Sequence, residues 1–143
     1  MNIYALSSLL ASYVFFILGI FIYQRDTRNQ LNRLYMAACL LLGYLAFVEF
    51  GLRQSADAAA AHTWFKIGSV WPLGIAIYMH FILVFVKKKR VLQRKVTYLL
   101  LYVPALIFAL LELTTNSITG EPVKEYWGWT YSIPVLSSSR KQY

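Results

Sequence analysis

Four long apolar runs dominate this chain and constrain its fold more than any other feature. An α-helix rises about 1.5 Å per residue, so about 20 apolar residues cross the hydrocarbon core of a bilayer. The runs are too long for single strands and lack a strand's alternation, and an open sheet cannot satisfy its backbone in lipid. The sequence therefore predicts an all-α polytopic membrane protein with four antiparallel transmembrane helices. The predicted spans are roughly Ile3–Tyr23, Leu34–Leu52, Trp64–Val86 and Val96–Leu113.

Composition agrees with this class and excludes several others. Of the 143 residues, 59% are hydrophobic and 14% are charged. Soluble domains average about 45–50% apolar residues and about 25% charged residues. The single cysteine, Cys39, excludes an internal disulfide framework, and with two histidines it leaves little for a metal site. We therefore expect no metal and no cofactor. No catalytic triad, P-loop or Gly-rich phosphate loop is present in the sequence, so we expect no enzymatic activity from this chain.

The positive charge is concentrated in two polar breaks between the runs, and the chain has a formal net charge of +8. The basic residues are Arg25, Arg28 and Arg33 in the first break, and Lys87, Lys88, Lys89, Arg90, Arg94 and Lys95 in the third. No nucleic-acid recognition motif accompanies them. We expect the partner to be the lipid bilayer with its anionic headgroups, and not nucleic acid.

The same charges predict the orientation in the membrane. The break after the second run carries Arg53 as its one basic residue, with Asp57 nearby. The positive-inside rule then places both basic breaks in the cytoplasm and the N-terminus outside, in a multi-pass protein of the cell membrane. The first run is longer than a secretory h-region of about 7–15 residues, and its positive charges follow it, so it is predicted to be a retained span. Residues 114–143 are then an extracytoplasmic loop or tail, with a possible short aromatic strand or turn at Tyr126–Tyr131.

One set of ionisable residues is predicted to meet near the outer ends of the helices. Its members are Glu49, Arg53, Lys66 and Glu112. Ionisable groups within spans usually face the bundle interior and form pairs, so a Glu49–Lys66 ion pair near Glu112 would line a ligand or ion pocket. Arg53 follows Glu49 by four residues and competes for its carboxylate. The alternative is interfacial anchoring, with the Lys and Arg head groups extended into water. The sequence identifies no ligand.

A lone histidine, His80, lies in the inner half of the third run. Its functional alternatives are a haem ligand, a proton relay and a pH switch. His62 cannot share a metal ion with it, because about 27 Å of helix separates them. We favour a structural role, in which His80 forms a hydrogen bond across to another helix.

Small residues and prolines mark two further features. Pro72, Gly74 and Pro104 interrupt helical regularity and are hinge candidates, although Pro and Gly also serve packing in membrane helices. Ser7, Ala11 and Ser12 place small groups on the first helix, where they allow close packing within the chain or at a homodimer interface.

Three segments resemble a known family. Asn32–Leu52, which opens with Asn-Arg, resembles the second helix of the N-terminal seven-helix membrane region of microbial histidine kinases. Trp64–Phe85 resembles the third helix, with an early Trp, a mid-helix Pro and the pair His80–Phe81 near its inner end. Tyr126–Pro134 resembles the Trp-Gly-Trp segment of the outer loop before the fifth helix.

The resemblance implies a sensory input module of a signal-transduction protein. In that family seven spans lead to a cytoplasmic C-terminus, where a PAS domain, a kinase core or a diguanylate cyclase usually follows. The residues after Pro134 depart from this pattern, so a truncated sequence, a broken gene and a stand-alone relative all remain open. We expect an extracytoplasmic or membrane stimulus to act by rearranging helices. The alternatives are a small four-helix transporter or channel subunit and a membrane scaffold protein.

Overall fold

The computed structural model describes residues 3–115 and 120–131, and these confirm the predicted helical membrane fold. The helices are α1 (Ile3–Arg25), α2 (Gln30–Arg53), α3 (Ala58–Gly68), α4 (Trp71–Phe85), α5 (Lys89–Leu92) and α6 (Lys95–Thr114). Strands β1 (Pro122–Glu125) and β2 (Gly128–Tyr131) form an antiparallel hairpin. Four segments are long and apolar enough to cross a membrane: α1, α2, α3 together with α4, and α6.

Helices α1 and α2 pack closely because small residues lie at their interface. A Cβ atom added to Gly19 would lie 2.8 Å from the Cβ of Cys39, and one added to Gly43 would lie 2.7 Å from the ring of Phe16. Small residues let membrane helices approach in this way. The hydroxyl of Ser12 is buried in the same interface and donates a 2.8 Å hydrogen bond to the carbonyl of Gly43. Ser12 therefore packs within the chain, which is the first of the two roles that the sequence suggests for it.

The third span is broken, which corrects the prediction of one helix kinked at Pro72. It begins at Ala58 rather than Trp64, because the carboxylate of Asp57 caps the helix by accepting a 2.8 Å bond from the amide of Ala60. Helix α3 ends at Gly68, and α4 begins at Trp71. Pro72 lies in the first turn of α4, where the N–H that proline lacks would have had no helical partner. The apolar run thus contains a helix end and a helix start instead of a kink.

The last span behaves differently, since α6 continues through Pro104 as one helix. The basic break before it contains α5, a single helical turn that the sequence does not predict. Lys87, in the same basic break, has a φ of 56°, in the left-handed region of backbone conformation.

The spans pack in a row: α1 lies on α2, α2 on α4, and α4 on α6. Short connections make neighbouring spans antiparallel. One end, here called the basic end, holds the α1–α2 turn and the segment from α4 to α6. The other, the hairpin end, holds the α2–α3 turn and the β-hairpin, which contacts α2 and α3. The outer faces of α1 and α6 expose large apolar side chains, such as Ile17 (66% exposed) and Leu100 (67%), as expected for helices whose surroundings are apolar.

Candidate functional site

A cavity of about 370 Å³ lies at the hairpin end, between α2, α3, α4, α6 and β2. We call it the hairpin-end cavity. Its wall is mostly apolar and aromatic but also contains two carboxylates. The lining side chains include Glu49, Trp64, Phe65, Ser69, Trp71, Glu112 and Tyr131. Of the four ionisable residues that the sequence places together, two line this cavity, Glu49 and Glu112, and two do not, Arg53 and Lys66.

Glu49 is held from two sides by different elements. Its Oε1 accepts bonds from Nε (3.1 Å) and Nη2 (2.8 Å) of Arg53, one turn later on α2. Its Oε2 accepts a 2.8 Å bond from the hydroxyl of Tyr131 on β2. Both oxygens are therefore engaged, and the charge of Glu49 is compensated by Arg53, as the four-residue spacing predicts.

Lys66 does not form the predicted ion pair with Glu49. Its Nζ donates to the backbone carbonyls of Glu112 (2.9 Å) and Thr115 (2.8 Å) instead. The last carbonyls of a helix have no partner within the helix and carry partial negative charge, so an ammonium is favourable there. Lys66 therefore caps the C-terminus of α6 and ties α3 to it.

Glu112 is the least compensated charged side chain in the cavity wall. It is only 4% exposed. Among the described residues, its Oε2 is fully buried and has no hydrogen-bond partner. A carboxylate buried in this way costs free energy unless it binds a partner or a proton.

The hairpin docks on the α2–α3 turn through contacts that the sequence does not predict. The indole N–H of Trp129 donates a 2.9 Å bond to the carbonyl of Ser55. The ring of Tyr131 stacks on Phe65, with 4.9 Å between ring centres. Gly128 has a φ of +123°, and a Cβ there would lie 2.9 Å from the carbonyl oxygen of Arg53, so this position requires glycine.

The environment of Tyr131 keeps its hydroxyl protonated. Burial of that hydroxyl away from water is the main cause that raises the pKa of Tyr131 well above its ordinary value, and the negative charge of Glu49 raises it further. Tyr131 thus remains a donor to Glu49 at every physiological pH. The signal in the sequence was the Tyr126–Tyr131 segment, whose aromatic residues predicted a strand or turn but not its docking partners.

The break between α3 and α4 lies directly on the cavity wall. The hydroxyl of Ser69 donates to the carbonyl of Lys66, and that of Tyr44 on α2 donates a 2.7 Å bond to the carbonyl of Ile67. These side chains satisfy carbonyls that the end of α3 leaves without helical partners. The ring of Trp64 fills the space over Gly51, so that α3 lies close to α2.

His80 lies near the opposite end, away from this cavity. Its Nδ1 and the hydroxyl of Tyr102 on α6 are 2.9 Å apart, and the ring of Tyr98 meets it edge-on at 5.2 Å. This is the cross-helix hydrogen bond favoured from the sequence. Within residues 3–115 and 120–131, no three His, Cys, Asp or Glu side chains are grouped to hold a metal ion.

The remaining candidates lie along the spans and at the basic end. Pro72 and Gly74 are in the first turns of α4, and Pro104 is in mid α6. The basic clusters lie in and around the α1–α2 turn and α5. The chain after Tyr131, including the predicted tail, lies outside the described residues.

Comparison with known proteins gives one match. The family model for the N-terminal 7TM region of histidine kinase matches residues 7–140. No curated protein and no solved structure matches the chain. The matched family is a non-catalytic, membrane-embedded input region, in agreement with the four spans described above. The chain belongs to the family of N-terminal seven-transmembrane regions of histidine kinases.

Proposed function

We propose that this chain receives a stimulus at the hairpin-end cavity and transmits it through helix rearrangement to a histidine kinase output. The observation that carries the proposal is the hydrogen bond from Tyr131 to Glu49. This bond joins the hairpin to the wall of the cavity, so a ligand in the cavity would affect both the hairpin and helix α2. The family assignment supports a sensory role, since the matched region is the input part of histidine kinases.

Charge supports an outward-facing cavity. Nine Lys and Arg residues lie in the turns and flanks of the basic end, and these define the cytoplasmic side under the positive-inside rule. The hairpin end, with the cavity and the N-terminus of α1, then faces the outside of the plasma membrane. A stimulus from outside would reach Glu49 and Glu112 without crossing the bilayer.

The break between α3 and α4 supplies a route for transmission. Helix α4 begins at the cavity with Trp71 and ends at the basic end with Phe85. A rigid helix of this length carries a displacement of Trp71 about 20 Å along its axis. A ligand shifts such an equilibrium only if it binds one packing better than the other. We therefore propose that the occupied cavity favours a different position of α4 relative to α2.

The proposal is tested in the kinase that carries this region, by measuring stimulus-dependent autophosphorylation in membrane vesicles. Tyr131→Phe removes the donor to Glu49 and keeps the ring on Phe65. Tyr126→Phe is the matched control, because Tyr126 lies in the same hairpin and is 81% exposed. We expect Tyr131→Phe to alter the ratio of stimulated to basal phosphorylation and Tyr126→Phe to leave it unchanged. The same ratio of stimulated to basal phosphorylation in both variants would contradict a role of the hairpin in signalling. Solute flux into liposomes that contain the chain would favour the transporter alternative.

A further inference from the structure

We propose that the hairpin-end cavity binds a small organic cation, an amine with an apolar or aromatic body, whose ammonium group pairs with Glu112. Its physiological role rests on the function proposed above, but the binding itself does not. The proposal comes from three features of the cavity wall: an uncompensated carboxylate, an excess of hydrogen-bond acceptors, and aromatic rings beside them.

The first feature is the charge of Glu112. An ionised carboxylate accepts hydrogen bonds and donates none, so its partner must be a donor, and burial makes a cationic donor most favourable. The nearby basic side chains are committed elsewhere, since Arg53 binds Glu49 and Lys66 binds two carbonyls. Among the described residues, the buried Oε2 of Glu112 has no hydrogen-bond partner.

The second feature is that both hydroxyl groups of the described wall donate their protons to other acceptors. The hydroxyl of Ser69, only 2% exposed, donates to the carbonyl of Lys66, and the hydroxyl of Tyr131 donates to Glu49. What each presents to the cavity is therefore an oxygen lone pair. A ligand that fits these two oxygens supplies N–H donors, whereas an anion or a carbonyl compound would find no donor at either hydroxyl.

The third feature is the aromatic part of the wall, formed by Trp64, Phe65 and Trp71. Aromatic faces attract cations, tryptophan most strongly, and they also pack against an apolar ligand body. A volume of about 370 Å³ lies near the lower end of the range of roughly 300–1,000 Å³ for small-molecule sites. The cavity therefore suits a single-ring amine better than a peptide.

Glu49 is not the anchor in this proposal. Its two oxygens already accept three hydrogen bonds from Arg53 and Tyr131. Its role is to hold the hairpin against the wall. Of the two carboxylates in the described wall, Glu112 provides the unpaired charge, and this distinction makes the site testable with single substitutions.

The test uses the full chain in lipid nanodiscs, with 2-phenylethylammonium as the cationic probe and 2-phenylethanol as its neutral counterpart of the same size. Two tryptophans line the cavity, so saturable quenching of tryptophan fluorescence reports occupancy. We expect the ammonium probe to bind at least about tenfold more tightly than the alcohol, because removing one partner of a buried charge pair typically has an effect of this size or larger. The comparison uses the unmodified chain, so it does not depend on the folding of a variant.

Two substitutions then locate the charge. Glu112→Gln should abolish the preference for the cation, whereas Glu125→Gln, which removes a carboxylate from the hairpin outside the cavity wall, should preserve it. Equal binding of both probes to the unmodified chain, or loss of the preference in both variants to the same extent, would overturn the proposal. Specific amine binding without any change in kinase output would leave this site standing and contradict the proposed sensory function instead.

Discussion

The hydroxyl of Tyr131 lies 2.8 Å from Oε2 of Glu49, a residue 82 positions earlier in the chain. The other oxygen of Glu49 is held by Arg53, also at 2.8 Å. One carboxylate thus connects a helix of the membrane region to the hairpin at its end. Because Glu49 lines the hairpin-end cavity, the attachment of the hairpin and the shape of the cavity depend on the same group.

The close approach of α2 and α3 depends on Gly51. A Cβ at this position would collide with the ring of Trp64, whereas a Cβ at Gly74 would make an ordinary 3.4 Å contact with Leu41. We expect Gly51→Ala to lower the free energy of unfolding by about 1–3 kcal/mol through overpacking. Gly74→Ala, the matched control, should be neutral or stabilising by up to about 1 kcal/mol, as for other helical glycines. Thermal unfolding in detergent measures both, and equal effects would contradict the described packing.

We expect Lys66 to stabilise the C-terminal end of α6 and not to bind a charged ligand. Lys66→Met leaves the carbonyls of Glu112 and Thr115 without their ammonium donor. We expect hydrogen exchange at the last turn of α6 to accelerate and unfolding to become easier by about 1–3 kcal/mol. The same substitution at the exposed Lys88, near the other end, should leave that turn unchanged. Normal protection of α6 in Lys66→Met would rule out the capping role.

The sequence predicts those features of the structure that depend on residues close together in the chain. The spans follow from local apolar length, and the Arg53–Glu49 pair follows from spacing within one helix. The depth of Glu49 and Glu112 follows from helix geometry, which is enough to place both near one end of the bundle. These features need no knowledge of how distant segments pack.

The features that the sequence missed depend on packing between distant segments. Helix α3 ends just before Pro72, and the hydroxyl of Tyr44 on α2 donates to the carbonyl of Ile67 at that end. The predicted partner of Lys66 was a carboxylate, but the free carbonyls at the end of α6 lie within its reach. The docking of Trp129 on Ser55 joins residues 74 positions apart, and no local pattern encodes it.

The unpaired carboxylate of Glu112 should reduce the stability of the empty protein. Glu112→Met replaces it by an apolar side chain of similar length, removing the desolvation cost of a buried charge. We expect the variant to be more stable than the unmodified chain by about 1–2 kcal/mol in thermal unfolding without ligand. Glu49→Met is the comparison, and it should be destabilising because it leaves Arg53 and Tyr131 without their shared acceptor. A loss of stability in Glu112→Met would indicate that Glu112 has a structural partner.

The central claim is that the hairpin-end cavity opens to the outside of the cell and that the basic end lies in the cytoplasm. It is tested by labelling single cysteines in intact cells with a membrane-impermeant maleimide, using Cys39→Ala as the background. Ala59→Cys places an exposed thiol in the first turn of α3, and Gln93→Cys places one beside α5. We expect position 59 to be labelled in intact cells and position 93 to be labelled only after permeabilisation. Labelling of position 93 from the medium, with position 59 protected, would contradict it.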